Sequence, residues 1–176
     1  MSASTLMRLA DRLDRLSEWI GQFSAWLSLP LVLVTFTVVV LRYLFDEGSI
    51  ALQESALYLH AALFMLGAAW TLKLDGHVRV DVLSRHFSPR RRAAANLAGT
   101  LLFLLPTCLF LAWISLDYVQ AAWRVREASP EAGGLPYVWL LKTLIPLTAG
   151  LLAVQGLAQL ARHAGEWRQA GEGGDA

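Results

Sequence analysis

The residues in this chain that could do chemistry are few, and most stand at the edges of apolar runs. Arg42, Glu54, Asp117 and Lys142 are two bases and two acids, each at the margin of a long hydrophobic stretch. At 1.5 Å rise per helical residue, each falls within about 10 Å of the same boundary of a membrane. Charges at one depth can neutralise one another, or together face a partner or a substrate path. The alternative is snorkelling at the interface with one or two bundle-stabilising pairs. Arg42 and Glu54 are expected to pair, because only a short link separates their segments. A second set is the string Gly76-His77-Val78-Arg79-Val80-Asp81, followed by the basic cluster Arg90-Arg91-Arg92. His60 is the only histidine deep inside an apolar run, where a lone histidine more often serves a helix–helix hydrogen bond than a ligand site.

What is absent narrows the chemistry. No run offers two histidines for haem, no His and acid set is spaced for a metal, and no serine elbow or catalytic dyad is visible. Neither an enzyme nor a cofactor protein is expected. Cys108, the one cysteine, lies within an apolar run and reads as a buried thiol. The short arginine cluster is no nucleic-acid signature.

The elements that position these residues are membrane helices. Of 176 residues, 56% are hydrophobic and 16% charged, a balance rare in a soluble domain, and several runs exceed the ~20 residues that cross a bilayer core. The fold class expected is an all-α membrane protein with four transmembrane helices, at about 19–45, 51–72, 93–117 and 137–160, in an antiparallel bundle. Residues 1–18 place Leu6, Leu9, Leu13, Leu16 and Ile20 at helical spacing opposite Arg8, Asp11, Arg12, Asp14 and Arg15. That pattern predicts an amphipathic helix on the cytoplasmic membrane surface, not a signal peptide. Val80, Leu83 and Phe87 predict a short interfacial helix between spans two and three, and Ser88-Pro89 an N-cap with proline at N1. Pro30, Pro106 and Pro146 should kink their spans. The glycine-rich tail, residues 161–176, is expected to fray.

Orientation follows from the bases. Arg8, Arg12 and Arg15, six Lys and Arg between spans two and three, and Arg162 and Arg168 in the tail stand against only Arg124 and Arg126 in the other connections. The excess places both termini and the 73–92 linker in the cytoplasm.

Arg42, Glu54, the Leu66-Gly67-Ala68-Ala69 turn and above all the His77-Val78-Arg79-Val80-Asp81 string, just after the second of four spans, resemble the small membrane subunit of TRAP transporters, the DctQ-like family. The loop from Trp123 through Ser129-Pro130 to Gly133-Gly134-Leu135-Pro136, with the Lys142 region, looks like one subgroup. The resemblance covers roughly residues 19–160. It implies a bacterial inner-membrane scaffold or accessory subunit of a tripartite, sodium-coupled importer of organic acids. Its partners would be a large DctM-like membrane subunit, a DctP-like periplasmic binding protein and membrane lipid. The subgroup likeness points to a monocarboxylate such as a 2-oxo acid. Within that frame the His77–Asp81 string is expected to dock or fold rather than catalyse. Two other classes compete. A self-contained four-helix exporter would want an acid central in span one, where only Thr35 and Thr37 stand. A redox-complex membrane anchor would want more than one histidine within the spans for haem.

Overall fold

The computed structural model describes residues 3–77 and 87–172. Among these residues six α-helices and one π segment follow in order: α1 Ala3–Trp26, α2 Ser28–Leu44, α3 Ile50–Lys73, α4 Pro89–Gly99, the π segment Thr100–Leu104, α5 Leu105–Val125 and α6 Val138–Glu172. Four helical stretches are long and apolar enough to cross a membrane: Ala10–Leu44, Ile50–Lys73, Pro89–Val125 and Val138–Trp167. Among the described residues there is no strand. The expected interfacial helix, with Arg79 and Asp81, lies outside the described residues.

Helix α1 runs through residue 18 without a break and ends at Trp26. Leu27 N–H turns back to Ser24 O at 2.9 Å, and Leu31 N–H resumes the helical pattern to Leu27 O at 3.1 Å. The cause is Pro30, which has no N–H for the carbonyl of Trp26. The proline predicted to bend span one thus divides it into α1 and α2.

The face by which α1 docks is not its leucine face. Ala10, Asp14, Ser17, Gly21 and Ser24 are buried at steps of three and four, whereas Trp19, Phe23 and Trp26 are exposed. Small residues let two backbones approach closely, the usual packing of membrane helices. Gly21 is the tightest case: a Cβ there would run into Trp70 of α3.

Ser49 caps α3 by accepting from Leu52 N–H at 3.4 Å. Ser88 caps α4 by accepting from Arg91 N–H at 3.4 Å with Pro89 behind it, as the sequence predicts. Span three then passes through the π segment just ahead of Pro106. Leu105 N–H reaches Thr100 O, five residues back. Widening the turn is a known way for a helix to accommodate an interruption in its hydrogen-bond ladder. Ala93, Thr100, Cys108, Ser115 and Ala122 are buried along this span, with Val119 between the last two. The first five recur every seven positions except across the π segment, where the step is eight. Span three therefore runs to Val125, beyond the predicted 117, and keeps one buried side throughout.

Helix α6 continues through Pro146 to Glu172. The stretch from 161, where the sequence suggests a fraying tail, is helical as far as Glu172. That stretch is rich in helix formers, Arg162 is tied to α1, and the Arg90 guanidinium stands 5.3 Å from the Trp167 ring centre. The contacts bring the start of α1 to the ends of α3 and α6. The start of α3 meets the 126–137 loop at the opposite end.

Candidate functional site: two polar ends of one bundle

The loop end is built around Glu54, in the second turn of α3. Its carboxylate accepts from the Ser129 hydroxyl and from Leu135 N–H, the latter at 2.6 Å. These residues lie on either side of a loop that closes on itself, since Ser129 N–H donates to Leu135 O at 2.9 Å. One acid thus fixes both ends of the closure by charge-assisted bonds. Gly134 makes the approach possible: a Cβ there would collide with Ser129 and come within 2.9 Å of Glu54 Oε1. Next to it, Gly133 takes φ +79, a left-handed conformation that glycine adopts without strain.

The rest of that end is an aromatic and ionic cluster. Arg126 ends α5 at φ 49, and its guanidinium lies 4.6 Å from the Trp139 ring centre and 5.5 Å from that of Trp123. The two indoles meet edge to face at 4.5 Å. Trp123 Nε1 donates to Thr143 Oγ1 at 2.8 Å, and Trp139 Nε1 to Pro136 O at 3.1 Å. Lys142 pairs with both oxygens of Glu127, at 2.6 and 2.7 Å, and its Nζ sits 3.9 Å from the Tyr118 ring centre.

The four charges singled out in the sequence therefore do not form one cluster. Arg42 does not pair with Glu54: it is exposed and has no ion pair or hydrogen-bonded side chain among the described residues. Asp117 is likewise exposed and unpaired among them. Glu54 and Lys142 instead find partners in the loop, which sequence reading treated as turns and breakers. Glu127 and Ser129, the partners of Lys142 and Glu54, were missed. They are 15 and 75 positions away from those residues, beyond any helical spacing.

The opposite end holds a second constellation. Asp14, 5% exposed, accepts from Gln155 Nε2 at 2.9 Å and from Arg162 Nη2. Arg162 Nη2 also reaches Asp11 at 3.1 Å. Lys73 bridges to Glu18 at 2.7 Å, and Gln159 Nε2 donates to Leu72 O at 2.8 Å. His77 has Nε2 3.3 Å from Ala68 O and so closes the end of α3. Gln155 is the amide a reader could have noticed, as a polar side chain inside the apolar run of span four. His60 makes no helix–helix hydrogen bond among the described residues. It is exposed, 6.4 Å from the parallel ring of Phe64.

Among the described residues no three His, Cys, Asp or Glu side chains are grouped to hold a metal. The arrangement defines a multi-pass helical membrane protein whose polar chemistry braces its two ends. A family model matches residues 31–166, and the chain belongs to that family: the DctQ component of tripartite ATP-independent periplasmic transporters. It is the small membrane subunit of such a transporter, in the bacterial inner membrane. The family is a transporter component, not an enzyme family. A search of curated proteins finds no match.

Proposed function

We propose that the chain is a static scaffold subunit, bound along α3 to the large membrane subunit of a sodium-coupled importer of organic acids that a periplasmic binding protein supplies. The observation that carries this reading is the outward stripe of α3. Gln53, Leu57, His60 and Phe64 recur at steps of four, three and four, and all are exposed. His60 is the eleventh of 24 residues in α3, hence near the middle of the span. Lipid tails offer an imidazole no hydrogen bond, so a polar group at that depth belongs against protein or a water-filled cavity. A stripe of this kind suits a partner helix. The buried charged side chain of the described residues, Asp14, lies at the terminus end rather than along a central path, which suits a brace better than a conduit.

In this reading both termini and the 73–92 linker are cytoplasmic and the 126–137 loop is periplasmic. Arg42 and Asp117 remain open for contacts outside the chain. The 77–81 string, with Arg79 and Asp81, is a docking element, so Asp81→Ala loses the large subunit. The test is co-purification of the tagged chain with its large membrane neighbour, and uptake of labelled organic acids in proteoliposomes under a sodium gradient. His60→Leu should fold and insert but recover several-fold less partner. Full recovery with that substitution would remove α3 from the interface, and no sodium-dependent uptake by the intact complex would remove the coupling.

A further inference from the structure

At the terminus end, α1, the end of α3, α4 and α6 line an open cavity of about 320 Å³. That is space for about ten waters at liquid density. Most of its polar lining is already engaged: Asp14 with Gln155 and Arg162, Lys73 with Glu18, His163 with Glu166 at 3.2 Å. What remains unengaged is specific. Gln155 is 1% exposed, yet its Oε1 accepts from nothing, and the buried Nε–H of Arg162 has no acceptor. The Arg92 guanidinium and the Asn96 amide, both on the cavity wall, have no side-chain partner among the described residues. The set amounts to several donors suited to an oxyanion, and one deeply buried acceptor suited to an N–H. Each buried polar atom left unbonded costs on the order of 1–3 kcal/mol, so such atoms in one cavity call for an explanation.

The charges on the wall select further. Among the described residues, Lys73, Arg92 and Arg162 face Asp14, Asp75 and Glu166, three against three. A multiply charged anion would meet the acids as well as the bases. A ligand with one negative and one positive group meets neither mismatch.

We propose that this cavity binds a phosphoethanolamine group: a singly charged phosphate diester held by Arg92, Asn96 and the Arg162 Nε–H, with its primary ammonium donating to Gln155 Oε1. The guanidinium fork matches a phosphate, and the ammonium supplies the N–H that Gln155 lacks. The same chemistry is offered by a phospholipid headgroup and by free glycerophosphoethanolamine. The site stands at an end of the spans, where headgroups lie. The inference does not depend on the scaffold reading above.

Native mass spectrometry of the delipidated full chain, titrated with phosphatidylethanolamine, phosphatidylcholine and phosphatidylglycerol, tests it. Phosphatidylcholine has a quaternary nitrogen with no N–H, and phosphatidylglycerol no positive charge. Phosphatidylethanolamine should therefore be retained about tenfold more tightly than either, the worth of one charge-assisted hydrogen bond. Arg92→Gln changes an exposed residue without a side-chain partner among the described residues, so the fold should stand while retention falls about tenfold. Gln155→Met should erase the preference over phosphatidylcholine. Displacement of the lipid by millimolar glycerophosphoethanolamine, a free diester of the same headgroup, would extend the site to the free compound, and failure to displace would assign it to the lipid. Equal retention of all three lipids, an Arg92→Gln protein that holds phosphatidylethanolamine as tightly as the unaltered chain, or a Gln155→Met protein that keeps the preference over phosphatidylcholine would overturn the proposal and leave a cavity filled with water.

Discussion

Replacing Asp14 by alanine tests whether α1 is docked on the bundle by its polar side. The carboxylate holds Gln155 Nε2 at 2.9 Å and Arg162 Nη2. Its removal affects these partners unequally. Gln155, 1% exposed, would be left with both ends of its amide unbonded, at a cost of about 1–3 kcal/mol. The Arg162 side chain, 40% exposed, can return to water and to Asp11, so its share is discounted to about 0–1 kcal/mol. The loss should total about 1–4 kcal/mol. A helix lying apart from the bundle on the membrane surface would give a surface substitution within about 0.5 kcal/mol of no effect. Unfolding of the purified chain in mixed micelles with rising dodecyl sulfate, followed by tryptophan fluorescence, measures the difference. Arg162→Ala should couple with Asp14→Ala by more than about 0.5 kcal/mol in a double-mutant cycle. A change below that value for the single substitution, with additive behaviour in the double, would refute the docking of α1.

Three further outcomes are expected. Glu54→Gln and Ser129→Ala should be non-additive in loop protection, read by proteolysis of the 126–137 segment, whereas Arg42→Gln should add independently to either. Gly21→Ala places a methyl group against Trp70 and should destabilise the chain by about 1–3 kcal/mol, the usual cost of overpacking, whereas Gly150→Ala, with open space around it, should not. A reporter fused at Ala176 should respond as cytoplasmic and one inserted at Ala132 as periplasmic, since eleven of the fifteen Lys and Arg fall within residues 1–18, 73–92 and 161–176.

The spans were legible because their signal is local: runs of apolar residues long enough to cross a bilayer stand out in any window. The same holds for the Ser88-Pro89 helix start, where two adjacent residues carry the message. The partner of Glu54 was not legible. Ser129 and Leu135 are 75 and 81 positions away, and nothing in their neighbourhood marks them as hydrogen-bond donors to a distant carboxylate. Short chain separation between Arg42 and Glu54 was a poor guide, because an acid at the start of a helix can turn toward a loop from elsewhere in the chain. Asp11 and Asp14 read as part of a solvated charged face, yet they meet Arg162 from the tail. Hydropathy ranks side chains by their preference for water, and a membrane bundle packs by size and hydrogen-bond complement as well.

The eight-residue step across Thr100–Leu104 acts as a phase correction. One residue advances an α-helix by about 100°, so a helix that counted only in sevens would present Thr107 where Cys108 now faces inward. Deleting a single residue between 100 and 104 would leave an apolar run still ample to span the membrane. It would also turn the whole far half of the rod by more than a quarter of a circle. Trp123 and Arg126 would swing away from Trp139, and Glu127 from Lys142, some 20 residues downstream of the lesion. This span should therefore accept many changes of apolar side chain while refusing a change of length by one.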